Sequence, residues 1–145
     1  MLTDYIAEDK VLLNVDDTSY KGVLLSMLEK SAETDGAGIV EKIFEREKVM
    51  PTALGKGLFL PRVILREKPR SEVIIAVNSK GLTFEDYGAQ TASIIMLFLF
   101  SEHDDYGALL AQSLRLLTDD CLRTDLLKSK KPVDVIKTIR EWEEE

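Results

Sequence analysis

Ala92-Ser-Ile-Ile-Met-Leu-Phe-Leu-Phe100 carries nine residues in which a single serine interrupts an apolar run. Both alternating faces of the stretch are apolar, which suits a central β-strand covered on both sides and implies layers above and below it. The run is about half of the roughly 20 residues needed to cross a bilayer, so no direct membrane insertion is expected.

Working back from it, Leu58 to Leu65 and Glu72 to Val77 are β-branched or aromatic runs separated by Lys-Pro-Arg-Ser, and each predicts a strand. Asn78-Ser-Lys-Gly81 predicts a turn, with Leu82-Thr-Phe84 extending a ribbon. Lys10 to Val15 predicts a first strand, and Asp16-Asp17-Thr18-Ser19 then offers side-chain oxygens for a helix N-cap. Val23, Leu24, Met27 and Leu28 form the stripe of a helix from Tyr20 to about Glu33, ended by Asp35-Gly36-Ala37-Gly38. Ile39, Val40, Ile43 and Phe44 continue the helical spacing to Lys48, before Pro51.

Forward of the run, Leu109, Leu110, Leu114 and Leu117 mark a helix, and Asp119 or Asp120 caps a second through Leu127. Pro132 opens a third, striped by Val133, Ile136, Ile139 and Trp142, with Glu143 to Glu145 as a solvated tail. The order β-α-α-β-β-β-α-α-α predicts one α/β domain over residues 1–145, a three-layer α/β/α arrangement around a small mixed sheet.

The chain has 145 residues, 45% hydrophobic, enough for one sizeable core. With 26 acidic against 19 basic residues its net charge is -7, which argues against nucleic acid as a partner because phosphate-tracking surfaces need clustered Lys and Arg. The acidic N-terminus lacks the basic region of a secretory signal, so the cytoplasm is the expected compartment. One histidine, His103, and one cysteine, Cys121, cannot assemble a zinc set, and Cys121 is expected to be an inert thiol buried by its helix. Glu102, Asp104 and Asp105 lack calcium-loop spacing and predict a solvated loop, so no metal is expected. Gly55-Lys56-Gly57 lacks the Walker spacing and predicts a turn into a strand, and nothing in the chain points to a cofactor.

The segment Arg46-Glu-Lys-Val-Met-Pro-Thr52-Ala-Leu-Gly55-Lys-Gly57-Leu-Phe-Leu-Pro61-Arg62 closely resembles the signature of type-2 enzyme IIA domains of the phosphotransferase system, the fructose, mannitol and nitrogen-regulatory group. Arg46, Thr52, Gly55, Gly57 and Pro61 stand at the matching positions, and the Leu109 to Leu117 helix and the terminal helix resemble the family's later elements. The resemblance implies a domain that meets partner proteins, the phosphocarrier HPr and the IIB component, around its active-site turn. It also implies a phosphoacceptor histidine directly after Pro61, where this chain has Arg62, and a second histidine where it has Tyr106.

A guanidinium has no nucleophilic lone pair and cannot form a phosphoramidate, so ordinary transfer, and catalysis with it, is not expected. Arg46, Thr52 and Arg62 would make a pocket suited to holding an anion, a carboxylate, phosphate or acidic side chain. The other reading is that Arg62 only pairs with a neighbouring acid and the site is vestigial, as surface arginines commonly do. Lys56 adds charge near the turn. His103, three residues before Tyr106, would become a displaced acceptor if the loop shifted, leaving an active carrier as the alternative. Leu58 and Phe59 read either as a docking patch or as core. The partner, a phosphotransferase component or a transporter or regulator, and any larger parent protein are not specified by the sequence.

Overall fold

The computed structural model of the chain describes every residue except Thr52 and Ala89. Its elements are β1 (Val11–Leu13), α1 (Tyr20–Leu28), α2 (Gly36–Val49), β2 (Leu58–Phe59), β3 (Arg62–Leu65), β4 (Glu72–Thr83), β5 (Thr91–Ser101), α3 (Tyr106–Leu117), α4 (Asp120–Leu127) and α5 (Pro132–Glu143). Five strands form one mixed sheet. β1 runs parallel to β4, β4 antiparallel to β5, and both β2 and β3 lie parallel to β5 along its far edge.

Alternation along β5 creates the two cores. Ile94, Met96, Phe98 and Phe100 pack with Leu109, Leu116, Leu122, Ile136 and Ile139 of the C-terminal helices. Ile95, Leu97 and Leu99 pack with Val23, Leu24, Met27, Ile39 and Ile43 of α1 and α2. Each such aliphatic side chain, taken fully from water, contributes about 1.5–3 kcal/mol. The expected α/β/α layering around a mixed sheet is therefore the observed one, and Ser19 and Asp119 cap α1 and α4 as expected.

Several local expectations are corrected. α1 stops at Leu28, and Asp35 does not end it: its side chain accepts the Gly38 N–H and begins α2. The stretch expected as one strand from Leu58 to Leu65 is split at Leu60-Pro61, since proline has no N–H to give a ladder. Asn78 to Gly81 is not a turn between strands but lies within β4, as a bulge before Leu82 resumes pairing with Ala92.

In α3, Leu116 is buried while Leu114 is 37% exposed, and in α5 Val135 is buried while Val133 is exposed. Cys121 is exposed, not buried. Glu143 is no solvated tail residue: its carboxylate accepts the Leu2 N–H at 2.7 Å and the Thr3 hydroxyl at 2.9 Å, and also takes the Gln112 amide, tying the two termini together. The turn Gly55-Lys56-Gly57 is confirmed, all three residues having positive φ. A side chain at Gly57 would also meet Ser93 Oγ at 2.9 Å.

Candidate functional site

Three elements converge beside the edge strand β3. α2 supplies Lys42 and Arg46, one turn apart on one face of the helix. β3 opens with Arg62, and α3 opens with Tyr106 directly after its N-cap, Asp105, whose carboxylate accepts the Ala108 N–H at 3.0 Å. Together they line a cavity of about 360 Å³, with Lys42, Arg46 and Arg62 as its charged groups. Val63, Ile64, Phe100, Tyr106 and Leu110 supply its apolar wall, and Gly107 brings in the first turn of α3, the positive end of that helix. The Tyr106 ring lies 5.4 Å from that of Phe100.

Arg62 is half-buried. Its guanidinium donates to the Leu60 carbonyl at 3.4 Å and lies 3.9 Å from the Met50 sulfur. Burial, and then the charge of Arg46 beside it, hold its pKa below the ordinary arginine value, while Glu47 pulls the other way. The group nonetheless stays protonated at ordinary pH. Among the described residues no carboxylate lies within 4.0 Å of the cationic groups of Lys42, Arg46 or Arg62. Arg46 and Arg62 share a partly desolvated space and repel one another there, and an anion between them would relieve that repulsion. The Glu47 carboxylate accepts the Tyr87 hydroxyl at 2.5 Å.

Of the site residues expected from sequence, Arg46, Arg62 and Tyr106 meet in this cavity. Thr52 lies outside the described residues. His103 does not line the cavity: its side chain is 70% exposed in the loop between β5 and α3, with Nε2 4.0 Å from Glu102. Lys56 points away, 4.0 Å from Asp120. The acids around His103 have structural tasks, Asp105 as a cap and Asp104 as acceptor of the Ser71 N–H at 2.9 Å. Among the described residues no group of three or more His, Cys, Asp or Glu is placed to hold a metal ion.

Leu58 and Phe59 are buried, so the docking reading of these two gives way to core. The exposed apolar side chains near the turn are instead Val49, Met50 and Leu54, with Ile64 on β3. Sequence reasoning missed these and Lys42. Lys42 was within reach, because it precedes Arg46 by four residues in a helix already expected.

The family model for the phosphoenolpyruvate-dependent sugar phosphotransferase system, EIIA 2, matches residues 4–142, and the chain belongs to that family. The chain is similar to a nitrogen regulatory protein from Bradyrhizobium diazoefficiens, 28% identical over 134 residues, covering 89% of this chain and 88% of that protein. The fold matches nitrogen regulatory protein IIA-Ntr from Neisseria meningitidis with a TM-score of 0.78 at 19% identity, over 95% of this chain and 98% of that one. It also matches the complex of enzyme IIA mannitol with phosphorylated enzyme IIB mannitol from Escherichia coli, with a TM-score of 0.70 at 14% identity, over 94% of this chain and 97% of that one. At these identities the solved structures speak for the fold alone. Among the described residues no helix is long and apolar enough to cross a membrane.

Proposed function

We propose that residues 1–145 form one IIA-type domain that does not carry phosphoryl groups and works in the cytoplasm as a regulatory or binding module, through an anion-binding pocket and protein contacts. The observation that carries this reading is the cavity itself, where Arg62 and Arg46 stand together, no described carboxylate is part of the lining, and the chain's one histidine lies elsewhere. Arg62 occupies the position at which the family places its phosphoacceptor, and Tyr106 that of its second histidine. Neither side chain offers an imidazole nitrogen. What these groups can do is hold a phosphate or carboxylate by charge-assisted hydrogen bonds. That the solved IIA mannitol neighbour is bound to a IIB component supports a protein partner for this domain too.

Inorganic phosphate, titrated into the protein and followed by amide chemical shifts, should perturb Arg46, Arg62 and Gly107. Arg62→Ala should weaken that binding about 10–100-fold, the equivalent of the roughly 1.5–3 kcal/mol of a hydrogen bond to a charged group. Equal affinity in both proteins would remove Arg62 from the site.

A further inference from the structure

Resting on the anion reading of the pocket, a second observation concerns its rim. β3 is paired on one side only, with β5. The Phe98 N–H donates to the Pro61 carbonyl at 2.9 Å, and along a parallel ladder successive residues turn their N–H and C=O to opposite sides. Pro61, Val63 and Leu65 therefore face β5, while the N–H and C=O of Arg62 and Ile64 face away from the sheet. No described residue hydrogen-bonds to those four groups. The neighbouring edge is handled differently, because Ala53 bridges Phe59 and the Leu54 N–H donates to the Leu58 carbonyl at 2.9 Å. The chain covers β2 itself and leaves β3 open.

The two sides of this open edge differ in chemistry. Arg62 and Ile64 are in register with Phe98 and Phe100, so their side chains lie on the α3 side, near Tyr106 and Leu110. Lys42 and Arg46 come from α2, on the other side of the sheet. A strand laid along β3 would send alternate side chains to these two sides.

We infer that the β3 edge is a docking strip for an extended peptide segment of a partner protein in which acidic and apolar residues alternate. Its backbone pairs with Arg62 and Ile64, its carboxylates reach Lys42 and Arg46, and its apolar side chains pack on Ile64, Tyr106 and Leu110. A free small anion meets the cations but does not pair with the four backbone groups. A second copy of this chain would bring the same three cations against themselves, so charge disfavours it.

The test uses the whole chain and a capped heptapeptide of alternating glutamate and valine, with a lysine-for-glutamate peptide and a backbone N-methylated version as controls. Calorimetry should detect the glutamate peptide alone, the double variant Lys42→Ala, Arg46→Ala should bind it at least about tenfold more weakly, and amide exchange of Ile64 should slow by at least about tenfold in the complex. Binding without slowed exchange at Ile64, or equal binding of the N-methylated peptide, would overturn strand docking. No peptide binding while inorganic phosphate still binds would also overturn it and leave the anion reading standing. Failure of both ligands would overturn both.

Discussion

Lys68→Met is expected to destabilise the fold by about 3–5 kcal/mol, the range for removing one partner of a buried ion pair. The Lys68 side chain is 3% exposed, with Nζ 2.8 Å from Glu33 and 2.5 Å from Glu72. Glu72 in turn accepts Lys10 Nζ at 2.6 Å and the Ala32 N–H at 3.1 Å. The network thus ties the chain before β1, the α1–α2 connection and the start of β4 into one joint. Methionine fills the aliphatic space of lysine, so the loss is chiefly electrostatic, and the retained Lys10 contact to Glu72 places it toward the lower end of the range.

The pH dependence carries the same signature. Burial pushes Glu72 up, but hydrogen bonds from Lys10, Lys68 and the Ala32 N–H together outweigh it and leave the carboxyl below its usual 4.5. A depressed carboxyl stabilises above its unfolded pKa, and that stability is lost as pH falls through the lower folded value. Burial likewise pushes Lys68 down, but Glu33 and Glu72 together raise it above the usual 10.5. Its contribution is complete below that unfolded value and is lost as pH rises through the raised one. Urea unfolding from about pH 3 to about pH 11 should show both falls in the parent and a diminished alkaline fall in Lys68→Met. An identical alkaline limb in the two proteins would contradict this account of the network.

Phe59→Ala should cost a similar amount, about 3–5 kcal/mol for a fully buried phenyl ring. Phe59 is 1% exposed, and its ring centroid lies 5.3 Å from Tyr20, 5.7 Å from Phe84 and 5.2 Å from Tyr87. Phe59→Leu, which keeps most of the volume, should cost less than about 1.5 kcal/mol. Since the residue faces the α1–α2 core rather than the cavity, phosphate affinity should survive in the leucine variant. A loss of under about 1 kcal/mol in Phe59→Ala would contradict its burial and return it to the docking surface.

The parts of the fold that were legible are those in which local pattern and tertiary environment agree. β5 declares itself because both its faces are apolar, and it is covered on both. Ser19 and Asp119 declare helix starts because their side chains do in the structure what their chemistry suits them for. Asp35 misled because Asp-Gly serves a helix start as well as a stop. Asn78 to Gly81 misled because pairing with β5 resumes beyond the bulge and overrides turn propensity. At the site, Arg46 and Arg62 were legible as positions through the signature and Tyr106 through the family's second histidine position, whereas Lys42 enters only when α2 is set beside β3. The exposure of Met50 and Leu54, the burial of Phe59 and the open outer edge of β3 depend on which surfaces other elements cover, and single-chain patterning does not encode that. Glu143 reads as one of three terminal acids, yet its partners are more than 100 positions away at Leu2 and Thr3.

The most direct test of a domain that binds anions without carrying phosphoryl groups is intact-mass spectrometry at mildly alkaline pH. The protein and its His103→Ala variant are incubated with phosphoenolpyruvate, enzyme I and HPr before measurement. The account predicts no phosphoryl mass increment in either. An increment in the parent that disappears in His103→Ala would contradict it and make the domain a carrier with a displaced acceptor.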